Sequence, residues 1–451
     1  MKKPIHTILL GLLLLPLWTF GQGGVLERYV DEAFAQNLGL GKAQTDLEVQ
    51  RLKVEEAKGK YLPTVSLNAS YLLATGGRGL NFPVGTLFNP VYSTLNQLTG
   101  ENQFPTDLED LDIQFTPTDF YDVRLFVSQP LFNPAIYLNH KAQQELISVQ
   151  EAKIEVAKAE LRKNVAVNYY NYLKTFDVLR IYDSTEVMLE EVLRFNRKLV
   201  ENDKATADVV ATVQFELDKL QSDRVNILKN QQVVQAYFNT LLHRPLDSPI
   251  EIDPQLKEQA QPLSSLEELQ GRAESGRQEL AQLQAAIQAN QYITTLNRRS
   301  MLPSLGLEIS GGYQGEGVSF ANDQRLGTIA LGMNWTLFEG KQRKSRVAQS
   351  RLQSRQLQSD LEMVKEQIQV QVIQSWHGFK AAESKLLSER SALVSAEKSF
   401  QIVNKRYKNQ QALLVEYLDA RTRYTNARIA LSLAEFDLLI SQAELKRAVQ
   451  L

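Results

Sequence analysis

The chain has 451 residues, with 50 basic and 52 acidic side chains and a formal net charge of −2, so no positive field favours nucleic acid as a partner. It contains no cysteine, which excludes disulfides, thiolate metal sites, a cysteine nucleophile and a lipid-modified N-terminal cysteine. Only four scattered histidines are present and no catalytic constellation is apparent, so we expect no metal, no cofactor and no enzymatic activity.

Residues 1–22 have the pattern of a secretory signal peptide. Lys2 and Lys3 form a basic head, and an apolar stretch follows from Ile8 to Leu17. A membrane-spanning helix is the alternative, but the stretch is shorter than the roughly 20 residues that a bilayer requires, and a glycine and a proline interrupt it. No later segment approaches that length, so any membrane insertion must use strands.

Polar and apolar residues alternate in two segments of the first half, which predicts strands at about 62–74 and 121–132. The first segment alternates without a fault from Thr64 to Tyr71. One side of the second is formed by Val123, Leu125 and Val127. Period-2 runs of about ten residues are typical of transmembrane barrel strands, which are apolar towards lipid and polar or small towards a lumen. A soluble sheet with one hydrated face is the alternative.

Between these strands lies an insertion from Thr75 to Phe120. It carries the acidic residues Asp107, Glu109, Asp110 and Asp112. Their spacing matches no EF-hand pattern, so we predict a solvated extracellular loop rather than a calcium site. Because prolines interrupt the insertion, we do not expect it to fold as a domain of its own, and this argues against a surface adhesin.

Two tracts are almost free of helix breakers. Ala135 to Arg244 contains neither Gly nor Pro, and from Lys341 to the C-terminus the only breaker is Gly378. An interior Gly costs about 1 kcal/mol and a Pro about 3 kcal/mol, so these tracts predict very long helices. A helix of about 65 residues would be roughly 100 Å long.

Apolar residues recur at intervals of seven along these tracts, which favours coiled-coil packing. The heptad positions include Ile147, Ile154, Leu161, Leu386, Leu393, Phe400, Leu431, Leu438 and Leu445. A second apolar line on the first tract indicates neighbours on both sides, as in a tube of helices; it consists of Ala152, Ala159, Ala166 and Leu173. A structural coiled-coil protein of the cell envelope is the alternative, although it would not need the alternating segments.

The second half of the chain repeats the first. Leu62 to Leu67 recurs as Leu302 to Leu307, each at the entry to a strand. We therefore predict a first structural repeat over 23–243, a proline-rich linker over 244–264 and a second repeat over 265–451. In the second repeat the predicted strands cover about 303–313 and 326–338.

Four strands from one chain cannot close a membrane barrel, because the smallest barrels have eight and open edges are not tolerated in hydrocarbon. Two copies would supply eight strands, and side chains would fill the interior of such a barrel. Three copies would supply twelve and leave room for a channel. We therefore expect a homotrimer.

With these elements the chain resembles the TolC-type outer-membrane efflux protein family. The most specific segment is Lys405 to Ala420, where a tyrosine precedes a turn and an acidic residue and Leu-Asp-Ala follow. The resemblance covers essentially all of the mature sequence. It implies a mixed α and β fold, with four transmembrane strands per chain completing a twelve-stranded trimeric barrel and long coiled-coil helices forming a periplasmic α-barrel.

The resemblance also implies a function and partners. The function is passive export through the outer membrane of a Gram-negative bacterium, as the channel of a tripartite efflux or type I secretion system. The implied partners are a periplasmic adaptor (membrane fusion) protein, an inner-membrane transporter of the RND, ABC or MFS type, and the lipid of the outer membrane. The tunnel is expected to stay closed at its inner end until a partner complex opens it.

Particular residues at the helical tips take on expected roles from the resemblance. Threefold symmetry would gather Asp208, Glu416 and Asp419 into carboxylate rings at the constriction, where such rings select cations; an exposed helix face is the alternative. Tyr407 resembles the tyrosine that latches the family's inner coils; a heptad core role is the alternative. The family's nearby arginine is replaced by Ala412, so a latch would need another partner.

The residues expected to dock the adaptor lie at the two hairpin turns and are Asn202, Asp203, Asn409 and Gln410. Both turns lack the family's usual glycine. We expect Asn202 or Asn409 to adopt the left-handed conformation in its place.

Overall fold

The computed structural model describes residues 24–115, 118–253 and 264–450. The predicted signal peptide lies outside these residues, as does part of the predicted linker. The chain forms two compact units. One contains the described residues of Met1–Val49, Ser148–Ala285 and Leu357–Leu451, and the other contains those of Gln50–Ile147 and Ala286–Gln356. Each unit draws on both halves of the sequence, so the division in space differs from the repeat along the chain.

Helices make up most of the described residues. They are Val25–Gln36 (α1), Leu38–Gly59 (α2), Val84–Thr99 (α3), Pro134–Glu201 (α4), Asp208–Leu241 (α5), Leu266–Gly276 (α6), Gln278–Arg299 (α7), Gln342–Lys408 (α8) and Leu414–Val449 (α9). The strands are Thr64–Leu73 (β1), Gly79–Phe82 (β2), Leu111–Gln114 (β3), Asp119–Phe132 (β4), Ser304–Gly315 (β5) and Arg325–Asn334 (β6). Among the described residues, no helix combines the length and the apolar character needed to cross a membrane.

The two breaker-free tracts form the longest helices. α4 has 68 residues and α8 has 67, so the prediction of very long helices is confirmed. Gly378 lies inside α8 without interrupting it, and a Cβ at this position would meet no atom within 4 Å. This glycine is therefore not required by close packing within the chain.

The first unit is held together by apolar clusters between its helices. One cluster lies around Tyr169 and Phe238, both 0 % exposed, and a second around Leu445 and Val372, also 0 % exposed. Buried members of the heptad lines are Ile154, Leu161, Phe400, Leu438 and Leu445. Full burial of such side chains stabilises the unit by about 2 kcal/mol each, which exceeds the propensity differences of about 0.7 kcal/mol or less among ordinary helix residues.

The second unit contains a four-stranded antiparallel sheet in the order β1-β4-β5-β6. The mixed α and β fold class is thereby confirmed. The last strand is shorter than the alternation suggests, since it ends at Asn334, which pairs with Ser304 at the start of β5. The pairing stops there because Pro303, the residue before Ser304, has no N–H to donate to β6. Trp335 lies beyond the strand and donates a hydrogen bond of 2.9 Å from Nε1 to the carbonyl of Met301.

The insertion after β1 is more ordered than a solvated loop. β2 and β3 pair in an antiparallel two-stranded sheet, and α3 lies between them in the chain despite containing Pro90. The insertion nevertheless belongs to the same compact unit as the sheet, and that it does not fold as a domain of its own stays a prediction. Side-chain hydrogen bonds from Asn89 and Asn96 to the returning segment hold α3, and Gly100 ends the helix in the left-handed conformation at φ 74°.

Candidate functional site: the sheet faces and the helical tips

The strand register places most of the apolar side chains of the four strands on one face of the sheet. Directly opposed residues in antiparallel strands share a face, and the pairs Leu67↔Leu125, Val127↔Ile309 and Leu307↔Leu331 carry the apolar face from one edge to the other. Val65, Leu67, Ile329, Leu331 and Met333 are all more than 60 % exposed. A face of this extent is covered in a working protein, because monomeric soluble proteins rarely expose such patches.

The opposite face carries mainly polar, charged and small residues, with a few apolar exceptions such as Phe126. Ser66, Asn68 and Ser70 of β1 pair with Phe126, Arg124 and Asp122 of β4, respectively. Arg124 donates from Nε to Asp122 Oδ1 at 2.6 Å. On the neighbouring pair of strands, the hydroxyls of Ser310 and Thr328 lie 2.7 Å apart. The sheet therefore separates an apolar face from a hydrogen-bonding face.

Gly312 allows β4 and β5 to lie together at the polar face. A Cβ on this residue would lie 2.0 Å from the carbonyl oxygen of Val123 and 2.7 Å from Cα of Arg124. No side chain fits at such distances, so the glycine is required by its neighbours rather than by its backbone angles.

In the first unit, α4, α5, α8 and α9 meet at one apolar cluster, which we call the tip core. Its most buried members include Leu189 and Val213 at 0 % exposed and Tyr417 at 2 %. The aromatic rings of Tyr407 and Tyr417 are 4.9 Å apart. Burial raises the pKa of Tyr417 to about 12, so this phenol stays neutral at physiological pH.

Tyr407 lies inside the tip core and is 6 % exposed. Its hydroxyl donates a hydrogen bond of 2.8 Å to Oδ1 of Asn196 on α4, and Asn196 Nδ2 donates to the carbonyl of Val192 at 2.8 Å. Burial raises the pKa of Tyr407. The structure thus gives this tyrosine a heptad core position and a polar partner within its own chain, Asn196, which the sequence did not indicate.

Both hairpin turns end their first helix in the same way. Asp203 N–H donates to Val200 O and Lys204 N–H to Leu199 O, while Gln410 N–H donates to Tyr407 O and Gln411 N–H to Arg406 O. These two hydrogen bonds are the pattern of the Schellman motif, in which the residue after the helix cap has a left-handed conformation.

The left-handed residues are Asp203 at φ 56° and Gln410 at φ 60°. The expectation that Asn202 or Asn409 takes this conformation was therefore wrong by one position. The hydrogen-bond pattern fixes the position of the left-handed residue, and it overrides the preference of asparagine for that conformation. All four turn residues are exposed.

The three carboxylates expected to form rings each have a local partner. Glu416 Oε2 accepts the Leu413 N–H at 3.1 Å at the start of α9, and Asp208 accepts a hydrogen bond from the Thr206 hydroxyl. Asp419 forms an ion pair with Arg423 one turn later at 3.1 Å. All three are exposed, and within the described part of one chain no hydrogen bond joins them to one another.

A polar seam on α9 was missed by the sequence reasoning. Heptad-spaced positions of α9 carry polar residues, and these face polar residues of α4 and α5. The contacts are Arg421 Nη2 to Glu216 Oε2 at 2.7 Å, Thr425 to Thr185 at 3.4 Å, Arg428 Nη1 to Ser184 Oγ at 2.8 Å and Ser432 Oγ to Asp177 Oδ2 at 3.2 Å. Polar residues at heptad core positions specify the register of packed helices. The spacing of these four residues along α9 is the sequence feature that would have revealed the seam.

A second missed cluster lies between α7 and the end of α9. Arg277 is 6 % exposed, donates from Nε to Glu279 Oε2 at 2.9 Å and donates from Nη1 to the carbonyl of Ala448 at 3.0 Å. Arg447 donates from Nη2 to Glu279 Oε1 at 2.8 Å. Burial alone would raise the pKa of Glu279, but the hydrogen bonds from the two arginines outweigh it and lower the pKa to about 2.

Comparison with known proteins identifies relatives of the whole chain. Residues 269–449 match the family model described as Outer membrane efflux protein. The chain is 26 % identical to the outer membrane protein TolC of Salmonella enteritidis over 99 % of its own length and 86 % of that protein. It is 22 % identical to the alkaline protease secretion protein AprF of Pseudomonas aeruginosa over 79 % of its length and 73 % of that protein.

A solved structure shares the fold. The open state of the MtrE outer membrane channel of Neisseria gonorrhoeae superimposes with a TM-score of 0.74 at 16 % identity, covering 94 % of this chain and 89 % of that one.

Proposed function

This chain belongs to the outer-membrane efflux protein family, and on that premise we propose that it is the protomer of a passive export channel in the outer membrane. One observation carries the proposal: the register sorts an exposed apolar face from a polar face across all four strands of the sheet. The apolar face contacts lipid, and the polar face lines the lumen. The long helices form a tunnel in the periplasm.

The open edges of the sheet support a homotrimer. Among the described strands, β1 and β6 each have a neighbour on one side only. Backbone groups in hydrocarbon require partners, so β6 of one copy pairs with β1 of the next. Three copies of four strands make a barrel wide enough for a channel, whereas two copies would make one that side chains fill.

The partners of the channel follow from the same premise. A passive duct supplies no energy, so an inner-membrane transporter of the RND, ABC or MFS type drives export and a periplasmic adaptor connects the two. The exposed turn residues Asn202, Asp203, Asn409 and Gln410 form the docking surface for the adaptor. Asp208, Glu416 and Asp419 form the acidic constriction in the trimer, and Tyr407 holds the tip closed.

The proposal is tested by an arginine on each face of β6. Leu331→Arg places a charge on the lipid-facing side, which costs about 2–4 kcal/mol near the bilayer midplane. The adjacent variant Ala330→Arg places the same charge on the polar face and is the matched control. We expect the first variant to be lost from the outer membrane and the second to assemble as a heat-sensitive trimer. Equal assembly of both variants would contradict the assignment of the faces.

A further inference from the structure

The two ends of the four-stranded sheet carry opposite charge. At the end where the strands join α2, α4, α7 and α8, eight basic side chains and one acidic side chain lie in residues 58–62, 133–137, 298–302 and 335–346. At the other end, seven acidic side chains and one basic side chain lie in residues 74–118 and 316–324. The helices lie in the periplasm, so the basic end of the sheet is its periplasmic end.

Most of the basic side chains at this end have no acidic partner in the chain. Within the described residues, ion pairs hold three of the eight, namely Lys58, Lys60 and Arg346. The other five are Arg298, Arg299, Lys341, Arg343 and Lys344. Clusters of Lys and Arg beside a membrane-spanning segment attract anionic lipid headgroups, so this end of the sheet is suited to an anionic leaflet.

Exposed aromatic and apolar side chains lie at the same end. Trp335 is 53 % exposed, Leu337 73 % and Phe338 85 %, and all three follow the last residue of β6. Aromatic residues concentrate where a membrane meets water, because their rings favour the level of the headgroups. Basic and aromatic side chains at one end of the strands therefore indicate the plane of the phospholipid headgroups.

A cavity of about 320 Å³ lies at this end, and Arg299 is the one charged residue among the described residues that line it. Its apolar and aromatic walls include Tyr61, Leu131, Phe132, Tyr137 and Leu302. β4 lies between β1 and β5, so the segments that bound the cavity are neighbours within one chain. Phe132 opposes Leu305 in the ladder and Leu305 opposes Met333, so the cavity borders the last row of the apolar face.

We infer that this cavity binds the headgroup phosphate of an anionic phospholipid from the periplasmic leaflet, through Arg299. A planar guanidinium donates two parallel hydrogen bonds to a phosphate, and Arg299 has no carboxylate partner that competes for it within the described residues. The cavity is near the lower limit of roughly 300 Å³ for small-molecule sites, which suits a headgroup whose acyl chains continue along the apolar face. The inference rests on the proposed function, because it requires that face to lie in lipid.

The neighbouring arginine provides a matched control. Arg298 and Arg299 both lie in the last turn of α7, where either cation interacts favourably with the carbonyl end of the helix. Both side chains are exposed, but Arg298 does not line the cavity. Arg299→Gln and Arg298→Gln therefore remove the same charge from the same helix end, and the first variant alone alters the cavity.

Native mass spectrometry of the detergent-purified assembly tests the inference, with phosphatidylglycerol and phosphatidylcholine of identical acyl chains as probes. We expect the parent to prefer phosphatidylglycerol. Arg299→Gln should weaken the binding of phosphatidylglycerol by a factor on the order of ten, the effect of losing charge-assisted hydrogen bonds, and should remove the preference. Arg298→Gln should bind both lipids as the parent does.

The alternatives give different results. If the two variants bind phosphatidylglycerol equally well while both assemblies keep the parent's oligomeric size, the inference is overturned and the proposed function stands. Displacement of phosphatidylglycerol by inorganic phosphate would also overturn it, because the cavity would then be a site for free anions. If the purified parent is a monomer, the proposed function fails first and the inference fails with it.

Discussion

The hydroxyl of Tyr407 on α8 donates a 2.8 Å hydrogen bond to Asn196 on α4, and both residues are buried. The ring of Phe195 packs edge-on against Tyr407 with centroids 5.7 Å apart. A polar pair inside an apolar cluster fixes two helices in one relative position. If the helices move apart, the Tyr407 hydroxyl loses its acceptor and Asn196 Oδ1 loses its donor, and both groups are left buried.

We expect Tyr407→Phe to lower the free energy of unfolding by about 1–3 kcal/mol, because the variant leaves Asn196 Oδ1 buried without a donor. The double variant Tyr407→Phe with Asn196→Leu removes both polar groups and should recover much of the loss. Thermal melting of the helices, followed by circular dichroism in detergent, measures both. If the single variant melted at the parent's temperature, the bond would carry no net stability.

The left-handed turn residues give a second prediction. A non-glycine residue in this conformation costs about 1–2 kcal/mol, so Gln410→Gly and Asp203→Gly should each stabilise the chain by about 1 kcal/mol. The neighbouring variant Asn409→Gly serves as control. Asn409 does not have a positive φ, so glycine relieves no strain there. A higher melting temperature for Asn409→Gly than for Gln410→Gly would contradict the assignment.

The cluster around Glu279 predicts a dependence of stability on pH. The pKa of this carboxyl is lowered from 4.5 to about 2, because the hydrogen bonds from its arginine partners outweigh the effect of burial, and this shift corresponds to about 3 kcal/mol. A lowered pKa gives stability that is complete above the unfolded value and is lost as the pH falls towards 2. Glu279→Gln should therefore be less stable than the parent at pH 7, and the difference should shrink below about pH 4.5. A difference that stayed constant down to pH 2 would rule out this origin.

The acidic residues at the tip predict ion preference. In planar bilayers the channel should prefer cations, and Glu416→Gln with Asp419→Asn should weaken that preference; glutamine preserves the cap on Leu413 N–H. Arg423→Gln, which removes the positive partner of Asp419, should strengthen it. Salt near 1 M shortens the screening length to about 3 Å and should mute both effects. If the double variant had the parent's selectivity at low salt, these carboxylates would lie on a solvated helix face and would not form a constriction.

Local patterns predicted the parts of the fold that local physics controls. Period-2 alternation indicated the strands, since each side chain's face follows from the pleat, and the absence of breakers indicated α4 and α8. The parts that were missed depend on distant partners. The helix α3 is held by amide pairs between Asn89 or Asn96 and a segment that returns later in the chain. No periodicity reveals such pairs in advance.

The candidate site was predictable to a similar extent. Tyr407 was identified as a heptad residue, but its partner Asn196 lies 211 positions away. The heptad analysis counted apolar residues only, so it passed over Arg421 and Thr425, which occupy the same seam. At the turns, asparagine propensity suggested the wrong residue because backbone hydrogen bonds decide which position is left-handed.

The two open edges of the sheet have a consequence for biosynthesis. A newly exported copy presents unpaired backbone along β1 and β6 together with an apolar face in water, and such surfaces aggregate readily. The edges of the sheet gain partners only when copies meet, so this step of folding is a reaction of higher order whose yield depends on concentration. At low expression the single copy persists longest, and proteolysis in the periplasm then competes with assembly for it.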